Sequence, residues 1–212
     1  GPDNIDIVMN ELDALVNIDL ETRQPKDKLT SLNIIRIGTS GSLHADIPVD
    51  SFVMSTFGLG LDNMLRSYLI DGISNVEIED AFVKHTNWDP KKGKPYAISC
   101  SKKLEKLIES DKIFKGITAT SGGFYGPQGR VLRLNIQDEN LNAKMDNFKF
   151  NENRITNLEM ETAAIYGLGK LLGHECLSLN AIIANRPSGA FSEDPYKAVD
   201  ELIAYALDKI VA

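Results

Sequence analysis

The sequence has few residues that could form covalent or metal cross-links, because its 212 residues include only two cysteines, Cys100 and Cys176. Neither lies in a CxxC motif or beside a histidine cluster, so a disulfide framework or zinc site is not predicted and the reducing cytoplasm is expected. No apolar run approaches the roughly 18 residues that a membrane span requires, and no basic region followed by a hydrophobic one begins the chain. Membrane insertion and export are therefore not predicted.

The chain also lacks an excess of basic side chains. Thirty acidic residues against twenty-three basic ones give a formal net charge of −7 and an isoelectric point near 5.0. Long-range attraction to nucleic acid or to an anionic membrane is therefore not expected, and an anionic ligand must be bound by local groups. Hydrophobic residues make up 42% of the chain, which is typical of a globular domain with a substantial core.

No repeat, low-complexity tract or flexible linker divides the chain, so residues 1–212 are predicted to form a single domain. Apolar spacing predicts amphipathic helices over residues 3–16 and after Asp194-Pro195, and Ser101 is predicted to cap a third helix. Strands are predicted over residues 33–37, 52–57, 96–100, 116–120 and 178–185. The last of these strands is predicted to be central and covered on both faces. This alternation predicts a three-layer α/β domain, in which ligands bind where strands end.

The first segment with candidate ligand-binding residues lies at the end of the strand predicted at 33–37. Arg36 ends that strand, and Gly38-Thr39-Ser40-Gly41 is predicted to form a turn. A guanidinium, turn N–H groups and two hydroxyls supply the donors that bind a small anion such as phosphate. The alternative interpretation is that Arg36 pairs with a surface carboxylate while the glycines only turn the chain.

A second segment, from Thr120 to Arg130, holds Phe124 and Tyr125 among glycines and a proline, close to Gln128. A planar amide and a planar guanidinium two residues apart can bind the hydrogen-bonding edge of a heterocycle while an aromatic ring covers its face. The alternative is a hairpin loop whose aromatic side chains pack on the core.

Two later segments add carboxylates and another arginine. In Glu159-Met160-Glu161 an extended backbone would place both carboxylates on one side, where they could bind the vicinal hydroxyls of a sugar. The alternative, which the spacing favours, is a capping box from Thr156 to Glu159 that starts the next helix. Arg186 follows the central strand, so it is expected to reach a ligand or a carboxylate at the sheet edge.

Together these four segments resemble the uridine phosphorylases, the pyrimidine-specific branch of the nucleoside phosphorylase superfamily. The motifs that carry the resemblance are Arg36-Ile-Gly-Thr39, Phe124-Tyr-Gly-Pro-Gln128-Gly-Arg130, Asn157-Leu-Glu-Met-Glu161 and Asn185-Arg186. The resemblance covers the whole chain and implies a three-layer α/β/α fold with a central mixed β-sheet.

The resemblance also implies a role for each candidate site residue. Phosphate would be bound by Arg36 and Thr39, with Ser40 and Gly41 beside them in the substrate site. The base would be bound by Phe124, Gln128, Arg130 and Arg186, and the ribose by Glu159, Met160 and Glu161. Of these residues, the catalytic ones would be Arg130, Gln128 and Glu161.

The implied reaction is the reversible phosphorolysis of uridine to uracil and ribose 1-phosphate, a pentosyl transfer of pyrimidine salvage. Phosphate would be a co-substrate, and neither a metal nor another cofactor is expected. Arg130 and Gln128 would stabilise the departing uracil anion, while Glu161 would orient the ribose hydroxyls. Asn185-Arg186 stands where purine-cleaving relatives carry an aspartate, which favours a pyrimidine. The alternatives are a purine nucleoside phosphorylase, a nucleosidase that uses water, and a non-catalytic nucleoside-binding module.

The resemblance further implies a homo-oligomer, since the family forms dimers that commonly assemble into hexamers. Relatives carry an additional N-terminal stretch with a second phosphate-binding arginine, whereas this chain starts at Gly1-Pro2, where that region would end. The sequence therefore predicts an N-terminally truncated domain with little activity on its own. The three histidines, His44, His85 and His174, form no evident catalytic cluster and are predicted to be structural or exposed.

Overall fold

The computed structural model describes residues 1–211, which form six α-helices around a mixed β-sheet. The helices are α1 (Pro2–Asn17), α2 (Val76–Thr86), α3 (Lys102–Ile108), α4 (Leu141–Asp146), α5 (Thr162–Leu172) and α6 (Pro195–Val211). A two-stranded ribbon is made by β1 (Ile18–Asp19) and β2 (Gln24–Pro25). The main sheet contains β3 (Asn33–Ser42), β4 (Phe52–Gly60), β5 (Tyr96–Ser99), β6 (Ile113–Thr120), β7 (Lys149–Phe150), β8 (Asn153–Glu159), β9 (Glu175–Asn185) and β10 (Ala190–Phe191).

The main sheet is mixed, with the strand order β10-β9-β3-β8-β6-β4-β5 and β7 paired to β8. The pairs β3–β9, β4–β6 and β6–β8 are parallel, whereas β3–β8, β4–β5 and β9–β10 are antiparallel. This confirms the predicted α/β class with a central mixed sheet.

The sheet also closes on itself, because β4 pairs with β9 in addition to its two other neighbours. The closing antiparallel contact joins residues 52–54 to residues 179–181. The five strands β9, β3, β8, β6 and β4 therefore form a ring, with side chains that alternate between its interior and its outer surface. The interior of this ring lies directly behind the cavity described below.

Apolar clusters on two sides of the sheet bind the helices to it. The largest cluster joins α1, α3, α5 and α6 to β9 through buried side chains such as Met9, Leu202 and Leu177. A second cluster joins α2 and α4 to the opposite side, where Phe82 and Met145 are fully buried. Helices thus cover both faces, as the predicted three-layer arrangement requires.

Two predicted helix caps are confirmed. The Ser101 hydroxyl accepts a hydrogen bond from the backbone N–H of Leu104 at the start of α3, and Asp194 accepts one from Lys197 at the start of α6. Cys100 and Cys176 are free and buried. Among residues 1–211, no helix combines the length and the apolar character needed to cross a membrane.

The turn predicted over residues 38–41 is wrong, because β3 continues through them to Ser42 with a bulge after Ser40. Gly38 does not turn the chain; it leaves room for the Arg36 side chain, which folds back over the strand. A Cβ at position 38 would lie 2.5 Å from Cζ of Arg36. The predicted capping box is also wrong, since β8 continues to Glu159 and α5 begins only at Thr162.

Candidate active site

A cavity of about 630 Å³ lies between β3, the ends of β8 and β9, and the loop that follows β6. This volume is typical of a small-molecule site. All of the residues predicted to bind substrate line it, namely Arg36, Thr39, Ser40, Gly41, Phe124, Gln128, Arg130, Glu159, Met160, Glu161 and Arg186. Segments that are far apart in the sequence therefore meet around one space.

Arg36 is held at one end of the cavity by groups on two other elements. Its Nη1 donates to Oδ1 of Asn180 at 3.0 Å, and its Nη2 donates to Oε2 of Glu161 at 2.7 Å. Nη2 also lies 3.4 Å from Oε2 of Glu159. The Arg36 side chain thus pairs with carboxylates and also faces the cavity.

Glu159 caps the start of α5, but it does so from the end of a strand and without the capping box with Thr156 that the spacing predicts. Its buried carboxylate accepts hydrogen bonds from the backbone N–H groups of Glu161 at 2.8 Å and Thr162 at 2.9 Å. The hydroxyl of Thr120 donates to it at 2.6 Å. These donors occupy both oxygens, so Glu159 satisfies the first free N–H groups of α5.

Glu161 is more accessible, with 23% of its side chain exposed. Burial alone would raise the pKa of its carboxyl group. The positive charge and the hydrogen bond of Arg36 act in the opposite direction and lower the pKa. The 2.7 Å ion pair with Arg36 makes Glu161 an ionised acceptor.

The loop after β6 presents its aromatic side chains to the outside. Phe124 and Tyr125 are each about half exposed, and their rings meet edge to face at 5.3 Å. The alternative that they pack on the core is therefore wrong. A short 3₁₀ turn, Gly126–Gln128, ends at Gly129 in the left-handed conformation with φ of 70°, which glycine adopts without strain. This turn buries Gln128 beneath the loop.

Two guanidinium groups converge on the side-chain oxygen of Gln128. Nη1 of Arg130 donates to Oε1 of Gln128 at 2.5 Å, and Nη2 of Arg186 lies 3.3 Å from the same atom. Arg186 also donates to the backbone carbonyl of Gln128 at 3.0 Å, and the Arg130 guanidinium stacks 3.9 Å from the Phe124 ring centre. The amide orientation is thereby fixed, with its oxygen toward both cations.

This end of the cavity is cationic. Within residues 1–211 neither Arg130 nor Arg186 forms an ion pair with a carboxylate; Gln128 supplies acceptors to both. Burial lowers the pKa of Arg130, and burial together with the charge of Arg130 lowers the pKa of Arg186 to about 10. Each guanidinium would therefore be stabilised by an anionic ligand beside it.

Asn185 supports the site from behind. Its Nδ2 donates to the backbone carbonyls of His44 and Ile47, both at 2.8 Å, and its Oδ1 accepts from the backbone N–H of Ser188 at 3.0 Å. The side chain is thus committed to backbone groups, and it fixes the turn that carries Arg186.

Sequence reasoning missed the apolar part of the lining, which consists of Leu158, Ile183, Ala184 and Phe191. Leu158 and Ala184 adjoin residues that the motifs already named, and this adjacency was the available signal. No sequence signal indicated Phe191, because it reaches the cavity only through the pairing of β10 with β9, which places it opposite Ala184.

The histidines lie outside this lining, as predicted for structural residues: the His44 ring contacts the backbone carbonyl of Ile155, and that of His174 accepts from the backbone N–H of Leu32. Within residues 1–211, no group of three or more His, Cys, Asp or Glu side chains is placed to hold a metal ion.

The sequence model of the phosphorylase superfamily matches residues 1–212. The chain belongs to the phosphorylase superfamily. The resemblance seen in its motifs is therefore confirmed at the level of the superfamily.

Individual relatives agree with this assignment. The chain is 25% identical over 187 residues to uridine phosphorylase of Thermococcus kodakarensis, a match that covers 84% of this chain and 57% of that protein. The chain thus spans little more than half the length of this curated relative.

Solved structures are also similar. A nucleoside phosphorylase of Trypanosoma brucei, described as showing uridine phosphorylase activity, superposes with a TM-score of 0.85 at 26% identity, over 100% of this chain and 77% of that one. Isoform 2 of uridine phosphorylase from Schistosoma mansoni superposes with a TM-score of 0.60 at 22% identity, over 97% and 66% of the two chains. The second likeness supports the fold alone.

Proposed function

We propose that this protein catalyses the reversible phosphorolysis of uridine to uracil and ribose 1-phosphate. The observation that carries the proposal is the pair of guanidinium groups, Arg130 and Arg186, that meet at Gln128 without a neutralising carboxylate in residues 1–211. The likeness to proteins named uridine phosphorylase supports the choice of substrate.

The base end of the cavity suits a pyrimidine that leaves as an anion. When the bond between the anomeric carbon and the base nitrogen breaks, the base keeps the electron pair and becomes negatively charged. Two partly desolvated guanidinium groups stabilise that charge more strongly than they stabilise neutral uridine, which lowers the barrier. Phe124 would lie against the ring, and Gln128 would offer its amide N–H groups to a carbonyl of the base.

At the other end we assign phosphate to Arg36 and Thr39, and the ribose to Met160 and Glu161. Ser40, whose neighbour Gly41 lies beside Arg186, would face the nucleoside. An oxygen of phosphate would form the new bond to the anomeric carbon as the bond to uracil breaks. Glu161, ionised beside Arg36, would accept hydrogen bonds from the ribose hydroxyls and so hold the sugar in line for attack. Glu159 would contribute by fixing the start of α5.

The remaining assignments are also proposals. We infer that the protein acts in pyrimidine salvage, as a homodimer or hexamer in the cytoplasm, with uridine and phosphate as its ligands, without nucleic acid or membrane partners, and without a metal or other cofactor. Two buried free thiols suit a reducing compartment. We also propose that residues 1–212 form a single domain of this enzyme.

The proposal is tested by incubating the purified full-length protein with uridine, deoxyuridine, thymidine and inosine, each with and without added phosphate. Uracil and ribose 1-phosphate formed from uridine only when phosphate is present would support phosphorolysis. Release of free ribose without phosphate would instead identify a nucleosidase. Preferential cleavage of inosine would contradict the pyrimidine assignment, and binding of uridine without turnover in calorimetry would identify a non-catalytic module.

A further inference from the structure

A chain of hydrogen-bonded side chains crosses the interior of the closed sheet and joins two of the β3 residues that line the cavity. We call it the polar chain; in order it consists of Arg36, Asn180, Ser55, Thr118, Asn157 and Ser40. Its members come from all strands of the ring, and strand alternation turns them inward while Leu177, Leu179 and Ala181 of β9 pack outward in the apolar core.

The hydrogen bonds of the polar chain have one direction. Arg36 donates to Oδ1 of Asn180 at 3.0 Å, and Nδ2 of Asn180 donates to Oγ of Ser55 at 3.4 Å. Thr118 donates its proton to Oδ1 of Asn157 at 2.8 Å, so in its 2.5 Å contact with Ser55 it must be the acceptor. Each donor from Arg36 onward therefore points away from the guanidinium.

The chain ends at Ser40, whose hydroxyl oxygen accepts from Nδ2 of Asn157 at 2.9 Å. Ser40 is 6% exposed and lines the cavity, and within residues 1–211 its own O–H donates to no protein acceptor. The last proton of the chain is thus left for a ligand atom. Hydrogen bonds that share one direction polarise one another, which strengthens this donor.

Burying the polar chain costs free energy of folding, and a functional role would explain why these residues are polar. Ser55, Thr118, Asn157 and Asn180 are completely inaccessible to solvent. A polar group in such a place costs free energy unless it is hydrogen-bonded, and apolar residues of similar volume would fill the ring without that requirement. What the polar residues add is a fixed geometry for the two groups at the ends.

We propose that Asn180 and Asn157 are positioning residues, Asn180 for the Arg36 guanidinium and Asn157 for the Ser40 hydroxyl. Asn180 holds Nη1 of Arg36 from the side opposite to Glu161, so the guanidinium keeps one orientation. Asn157 donates to the Ser40 oxygen, so the hydroxyl proton points away from Asn157 and is available to the ligand. The assignment of phosphate to the Arg36 end and nucleoside to the Ser40 end rests on the proposed function.

The test compares near-isosteric variants at the two ends in steady-state kinetics with uridine and phosphate. Asn180→Leu should raise the KM for phosphate about tenfold and leave the KM for uridine within about twofold, and Asn157→Leu should do the reverse. At the middle of the polar chain, Thr118→Val should raise the KM for both substrates. Thr118→Ser keeps the hydroxyl, so it should have the wild-type KM values. A purely structural role would lower the melting temperature without dividing the KM effects between the two substrates.

Two further measurements keep the inference falsifiable. If a leucine variant does not fold, Asn180→Ser and Asn157→Ser replace it, because serine is small enough to fit and too short to reach the same partners. A crystal structure of the Asn180 variant should have the Arg36 guanidinium displaced; an unmoved guanidinium, or an unchanged KM for phosphate, would overturn the inference. If the wild-type protein cleaves no uridine while the variant still displaces Arg36, the proposed function fails and the positioning role stands.

Discussion

Arg36 lies directly on Gly38, two residues further along the same strand. A Cβ at position 38 would lie 2.5 Å from Cζ of Arg36, well inside contact distance. The guanidinium can therefore reach Asn180 and Glu161 only because residue 38 has no side chain.

Gly38→Ala should displace the Arg36 guanidinium at little cost in stability, since the clash involves the mobile end of a long side chain. We expect the KM for phosphate to rise about tenfold, which initial-rate measurements at varied phosphate concentration would detect. Gly126→Ala is the control, because a Cβ there would lie 3.7 Å from Cγ2 of Ile136 in ordinary contact. Equal kinetics for both variants would refute the role given to Gly38.

Arg130→Ala should lower turnover of uridine by more than about tenfold, because it removes one of the two cations that stabilise the departing base. Arg130→Lys should recover little, since an ammonium group cannot both stack on Phe124 and bind Gln128 in the same way. Arg133→Ala, an exposed arginine three residues away, is the matched control. Retained activity in the Arg130 variants would remove this residue from the base site.

Glu159→Gln should destabilise the protein by about 1–3 kcal/mol, because an amide presents only one acceptor to donors that now share a carboxylate. Those donors include the backbone N–H of Thr162 and the hydroxyl of Thr120. Urea denaturation followed by circular dichroism would measure the change, with exposed Glu193→Gln as the comparison. A loss confined to ribose binding, with unchanged stability, would contradict the capping role.

The two thiols should be unreactive in the native protein. Burial raises the pKa of Cys100 and of Cys176 to about 12, from the usual 9.0. A disulfide reagent at pH 8 should therefore label neither until denaturant is added, and then both. Rapid labelling without denaturant would contradict their burial.

The same shifts make stability depend on alkaline pH. The contribution of these thiols is complete below pH 9 and declines as the pH rises toward 12, because the unfolded chain ionises them first. The free energy of unfolding of Cys176→Ala should therefore fall less steeply between about pH 9 and pH 11 than that of the wild type, as urea titrations would measure.

Sequence patterns predicted which residues line one cavity better than they predicted the backbone that carries them. Arg36, Arg130 and Glu161 stand out because charged groups beside glycines and strand ends have few structural uses. The conformation of residues 38–41 could not be predicted in the same way, since glycine permits both a turn and close approach. Only the position of the Arg36 side chain decides between the two.

The polar interior of the ring was equally difficult to predict from the sequence. Ser178 and Asn180 interrupt the apolar run of β9 at alternate positions, and this period of two was the available signal. The nearly continuous apolar run over residues 178–185 predicts a strand covered on both faces, but it does not show that one of these faces is polar. The closing pair of β4 with β9 has no local signature, because it joins residues that are distant in the chain.

That closing pair bears on how the protein assembles during synthesis. Residues 52–54 lack their second partner strand until residues 179–181 have left the ribosome. Long-range pairings of this kind slow folding and leave unpaired strand edges exposed in the meantime. Arg36 of β3 thus acquires its neighbours Asn180 and Glu161 only when the late part of the chain has joined the sheet.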